Sequence, residues 1–170
     1  MTAFVALLRA VNVGGTGTLP MSDLKALCED EGFEQVRTYI VSGNVVFTAM
    51  VGEKTVKAAL EKSLAAYAGK PVAVAVRTAE AIAAVLAGNP FAARPASKTV
   101  AVFLDGEPGR DALKAVTGRH NEELRAGARE IYVHYPSGMG RSKLKIPAAR
   151  AGTARNMNTI AALAKLATAL

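Results

Sequence analysis

Residues 3–13 read AFVALLRAVNV, a nearly unbroken apolar run rich in valine and leucine that opens directly from the N-terminus. Such a run, ending in a glycine-rich stretch, predicts a strand buried in a sheet. The elements that follow have the spacing needed to build around it. Pro20 stands where a first helical residue belongs, and Met21, Leu24, Leu27 and Cys28 mark one helical face up to a stop at Gly32. Residues 36–41 and 45–47 read as two strands joined across Ser42-Gly43-Asn44, because a Gly-Asn pair supplies the positive φ of a hairpin turn.

A second helix is predicted from Val56, Leu60, Leu64 and Tyr67, closed by Gly69 with Pro71 beyond it. Val72, Val74 and Val76 then alternate as a strand. The order β-α-β-β-α-β is that of the ferredoxin-like split unit. The expected fold is therefore α+β, with a ferredoxin-like subdomain over residues 1–78 packed with a smaller α+β subdomain over 79–170. The turn of the chain from one to the other falls near residues 77–79 or 89–97.

In the second half, Thr78 caps a short helix carrying Ile82, Val85 and Leu86, ended by Asn89-Pro90. A strand over 99–104 leads to a turn over 105–109, a short helix over 110–117 and a hairpin of 122–126 with 129–135 about Gly127. A glycine-rich basic loop precedes a last helix over roughly 156–169, with Ile160, Leu163, Ala164 and Ala167 facing inward.

Composition removes several classes. Hydrophobic residues make up 51% of the chain and charged residues 21%, which excludes a disordered chain. No apolar run approaches the ~20 residues of a membrane span, so no membrane partner is expected. One cysteine, Cys28, and no tryptophan fit a reduced, cytoplasmic protein without disulfides. The net charge of +7 is unevenly placed: residues 1–90 hold eight basic and eight acidic side chains, residues 91–170 hold 13 and six. After Glu130 there is no acidic side chain, while Arg141, Lys143, Lys145, Arg150, Arg155 and Lys165 follow. That asymmetry points to an anionic partner, nucleic acid or a phosphorylated small molecule.

Three sequence segments bear together on identity: LLRAVNVGG (7–15) followed by LPMSDLKAL (19–27), VRTYIVSGNVVF (36–47), and GRSKL (140–144) with TARNMNT (153–159). In order and spacing they resemble the bacterial domain-of-unknown-function 1697 family, over almost the whole chain. The resemblance implies a protein of two α+β subdomains, the first ferredoxin-like, and implies no activity. The chain differs from the family pattern at Ala10 (usually glycine), at Thr16 and Thr18 (commonly lysine), at Met157 (usually tryptophan), and in a shortened stretch between Lys143 and Thr153.

The candidate ligand-binding residues come from the same blocks. Asn12, Gly14 and Gly15 lie in a strand-to-helix turn whose backbone N–H groups could hold an anion, though the stretch matches no nucleotide fingerprint. Arg9 interrupts a buried pattern, so it must be paired or emerge at the strand end, beside Asn12. Ser42 and Asn44 sit at a turn next to the end of the first strand. Ser142 and Lys143 lie in the basic loop. Asn156, Asn158 and Thr159 lie at the start of the last helix, where Thr153, Asn156 or Asn158 can cap it and where the dipole makes a neighbouring Arg155 unfavourable unless an anion or acid is there. The loop at 12–15, the turn at 42–44 and the helix start at 155–159 are expected around one concavity.

Enzyme signatures are sparse, and no catalytic residue, metal site or cofactor is assigned. Cys28 lies on an apolar helix face and reads as a core thiol. His120 and His134 are too few and too far apart for zinc, and His134 reads as a satisfied surface or interface histidine. Ser142 and Lys143 are neighbours that point to opposite sides of an extended chain, which disfavours a Ser–Lys nucleophile. Phe4 and Phe47 alone do not make an RNA-stacking sheet. The leading expectation is a protein binding nucleic acid or a nucleotide through its basic half. The alternatives are an enzyme acting on a phosphorylated small molecule between the subdomains, and a homo-oligomeric interaction module.

Overall fold

Strand β1 (Thr2–Leu8) has its last five residues buried, so neighbours cover both of its faces. The computed structural model describes residues 1–9, 19–40 and 43–170. These form a mixed α+β protein of two four-stranded antiparallel sheets. The chain divides into two units, Met1–Ala83 with Ala162–Leu170, and Ala84–Ala161. The first unit thus takes back the C-terminal segment, which a division of the sequence at residue 78 does not.

In the first unit, β1 is followed by α1 (Met21–Asp30), β2 (Glu34–Tyr39), β3 (Asn44–Ala49), α2 (Glu53–Ala68) and β4 (Val74–Thr78). The sheet order is β2-β3-β1-β4, with Phe4 opposite Phe47 on β3 and opposite Thr78 on β4. Phe4, Ala6 and Leu8 on one face of β1 pack with Leu24 and Cys28 of α1 and Val56, Leu60 and Leu64 of α2. Phe33 stacks on Phe47 at 4.5 Å between ring centroids, with Phe4 tilted at 6.0 Å from it. Both strand phenylalanines are thereby consumed by the core. Burial pushes the Cys28 thiol up to about 12, with Glu29 and Glu31 adding to the effect, so it stays protonated and unreactive.

Three expectations for this unit change. Pro20 is the N-cap, in extended conformation, and the helix begins at Met21. Tyr67 is not a core residue. It is 45% exposed and donates a 2.5 Å hydrogen bond to the Asp23 carboxylate, tying α2 to α1 on the solvent side. The first strand stops at Leu8, and Arg9 is exposed just beyond it, which spares the cost of burying the charge.

The second unit holds the end of α3 (Ala79–Ala87), then β5 (Thr99–Phe103), β6 (Glu123–Ala126), β7 (Glu130–His134), β8 (Thr153–Asn156) and the first residues of α4 (Met157–Thr168). Its sheet order is β6-β7-β5-β8. Thr78 caps α3 by accepting from the Ala81 N–H at 3.1 Å. Strand β7 is buried throughout. Ile131 and Val133 pack with Val100, Val102 and Leu124, while on the other face the Tyr132 hydroxyl donates to the Val85 carbonyl at 2.9 Å. Ile160, Leu163, Ala164 and Ala167 of α4 are all buried, as is Met157.

No helix forms over 110–117. Eight residues between Pro108-Gly109 and Gly118 are too few to offset helix nucleation, and the segment is built of single turns such as Lys114 N–H to Asp111 carbonyl at 3.0 Å. Residues 153–156, expected before a helix, pair as β8 with β5 from Val100 to Phe103.

His134 is a buried core histidine rather than a surface one, at 2% exposure. Its Nδ1 lies 2.9 Å from the Thr99 hydroxyl. That hydroxyl donates to the Pro95 carbonyl at 3.2 Å, so it accepts from Nδ1–H and fixes the neutral tautomer. Burial first, then Arg94 and Lys98, lower the His134 pKa, against an opposing pull from Glu123. The folded value therefore lies below that of the unfolded chain, so stability is full above the ordinary histidine value of ~6.5 and falls as pH drops below it. Thermal melts between pH 7.5 and 5 should show a steeper loss for the wild type than for His134→Gln, which cannot titrate.

Candidate functional site

After β7 the chain leaves the sheet through Tyr135 and Pro136, reverses at Gly138 (φ 87°) and winds through one turn of 3-10 helix, Met139–Arg141. It then runs back, and Thr117 and Lys145 form a two-bond antiparallel bridge, N–H to O at 3.0 and 2.8 Å. Beside that bridge Gly118 (φ 70°) lies so close to the returning strand that a Cβ there would stand 2.0 Å from the Lys143 carbonyl oxygen. Only glycine fits, both for its dihedral and for the approach.

The two stitched segments enclose a cavity of about 240 Å³ whose walls include His120, Glu122, Tyr135, Arg141, Ser142 and Lys143. Glu122 is 4% exposed. One of its oxygens accepts from the His120 backbone N–H at 2.7 Å and the other from the Ser142 hydroxyl at 3.0 Å. The His120 backbone hydrogen bond, helped by the Ser142 hydroxyl and the His120 charge, holds its carboxyl below the usual carboxylate range, so it is ionised at neutral pH. Ser142 Oγ also accepts from the Leu144 N–H at 3.1 Å, which leaves the hydroxyl positioned as a tether of the loop rather than as a nucleophile. Across the opening, Asn121 donates to Ser137 at 2.9 Å. Burial, followed by the charge of Glu122, raises the Tyr135 pKa, so its phenol is a donor at all physiological pH.

Arg141 and Lys143 are both exposed at this cavity. Among the described residues neither pairs with a carboxylate. The neighbouring acids are held elsewhere: Glu123 pairs with Arg94 at 2.9 Å, and Glu122 is bound to the loop itself.

Of the residues singled out from sequence, Ser142 and Lys143 line this cavity. Arg155, Asn156, Asn158 and Thr159 do not. Arg155 is half-buried on β8, where its guanidinium donates to the Ala154 carbonyl at 2.9 Å and burial brings its pKa down to about 10. Asn156 caps α4 by accepting from the Thr159 N–H at 2.9 Å. Asn44 is fully buried at the start of β3, and its amide donates to the Tyr39 carbonyl at 2.9 Å across the hairpin. Asn12, Gly14, Gly15 and Ser42 lie outside the described residues. Asn44 belongs to the first unit and 155–159 to the second.

Gly118, Glu122, Tyr135 and Arg141 were not among the expected site residues. Arg141 adjoins the predicted Ser142-Lys143 pair, and GRSKL was the available signal for it. The others join the site only through the pairing of residue 117 with residue 145, which no local pattern announces.

Gly118→Ala should lower stability by about 2 kcal/mol or more, since left-handed backbone strain is added to a displaced Lys143 carbonyl. Chemical denaturation gives the loss, and amide exchange at Lys145 and Thr117 should rise with it.

Among curated proteins none matches the chain. A solved structure, that of the conserved bacterial protein SP0830 from Streptococcus pneumoniae, is similar over 97% of this chain and 98% of that one, with a TM-score of 0.81 and 24% sequence identity. At that identity the likeness establishes the fold. Residues 1–132 match the family described as "Protein of unknown function (DUF1697)", and with most of its length covered by that match the chain belongs to this family.

Proposed function

We propose that the second unit binds a phosphate-bearing ligand, such as a nucleotide or a nucleic-acid backbone, through Arg141 and Lys143. The observation that carries this reading is the convergence of two cations without carboxylate partners on one cavity, in a stretch of chain that has no acidic side chain after Glu130. Exposed cations of this kind act on an anion without first breaking an internal ion pair. The cavity volume is below the ~300–1,000 Å³ of sites that enclose drug-sized molecules. It therefore favours one anionic group over a base-stacking platform, in keeping with the burial of Phe4 and Phe47.

On the same footing we read the first unit as ferredoxin-like, supported by the β1-α1-β2-β3-α2-β4 succession and the β2-β3-β1-β4 order. The buried, protonated single cysteine supports residence in the cytoplasm. No helix among the described residues is long and apolar enough to cross a membrane.

Inorganic phosphate, AMP and a labelled single-stranded oligonucleotide are the probes. Thermal stabilisation by phosphate or AMP should be about 2.7 kcal/mol at 100 times Kd and should vanish in Arg141→Ala/Lys143→Ala. Binding of the oligonucleotide, where it occurs, must weaken steeply across a salt series. No response to any of the three at low ionic strength refutes the reading.

A further inference from the structure

The cavity holds more than its two cations. Glu122 is a buried carboxylate with about four acceptor positions, of which the His120 N–H, the Ser142 hydroxyl and its own backbone N–H engage three. Its remaining acceptor capacity belongs to a group that lines the cavity, and the depressed pKa keeps it an acceptor only. A bare phosphate monoanion or dianion meets repulsion from such a group. A ligand that offers hydroxyl donors to Glu122 while its phosphate lies against Arg141 and Lys143 meets attraction at both ends. Tyr135 and Asn121 also line the cavity.

We propose that this cavity selects a phosphorylated polyol or single sugar, the phosphate held by Arg141 and Lys143 and a hydroxyl donating to Glu122. The proposal rests on the reading of Arg141 and Lys143 as phosphate-binding residues and adds to it the specificity-determining role of Glu122. The cavity of about 240 Å³ fits a ligand of this size. Glu122 also fixes the loop through Ser142, so it serves as scaffold and as acceptor, with a different oxygen lone pair in each task.

The test compares two ligands of equal charge on the wild-type protein by calorimetry, glycerol 1-phosphate and n-propyl phosphate, with inorganic phosphate alongside. The hydroxylated ligand should bind about tenfold more tightly than the propyl ester, the effect of one hydrogen bond to a charged acceptor. Glu122→Gln should shrink that ratio towards one. If the two esters bind equally to the wild type, the selection proposed here is overturned while the phosphate-binding reading stands. If neither ester binds, the selection is overturned, and the phosphate-binding reading falls with it when inorganic phosphate, AMP and the oligonucleotide fail as well. The wild-type ratio decides the matter even where Glu122→Gln does not fold.

Discussion

Burial of the central strands on both faces is the constraint on which the rest of the molecule depends. Strand β1 pairs with β3 on one side and β4 on the other, and strand β5 pairs with β7 and β8. Every residue of β3, β5 and β7 is buried. Each large apolar side chain so removed from water contributes about 1.5–3 kcal/mol, which strands exposed on one face would forfeit for half their residues. Two-sided burial in turn requires every polar group on those strands to find its partner inside the protein.

The partners are short-range and specific. Asn44, at the start of a fully buried strand, is satisfied by the Tyr39 carbonyl across its own hairpin. The Thr99 hydroxyl is shared between Pro95 and His134, and the Tyr132 phenol reaches the Val85 carbonyl. The effect shows in the pKa values: burial drives the Tyr132 phenol up to about 12 and the His134 imidazole down. These groups are perturbed because the sheets are dry, and their hydrogen bonds explain them without any reaction.

The cavity in the second unit follows a different rule. There a carboxylate is buried at the joint of two loops, and its hydrogen bonds organise those loops, while the cations nearby are left exposed. A stretch with no acidic side chain after Glu130 cannot neutralise Arg141 and Lys143 from its own sequence. Of the acids that precede it, Glu122 is bound to the loop and Glu123 is paired with Arg94. Charge asymmetry in the sequence thereby becomes a localised cationic rim.

Much of the architecture was determined by local pattern. The valine-rich runs, the apolar faces of α1, α2 and α4, the glycine stops at Gly32 and Gly69, and the hairpin turn at Gly43 follow from periodicity and backbone freedom, which neighbouring residues decide among themselves. The family was legible too, because its motifs keep their order. Tertiary structure alone decided the rest. It placed Tyr67 outward against Asp23. It drew residues 153–156 into a sheet and buried His134. Above all it brought Thr117 to Lys145 and so set Gly118, Glu122 and Tyr135 beside Arg141 and Lys143. Those groups are separated by up to some 25 residues of chain, and only the burial of the strands between them, a non-local energy, fixes their approach.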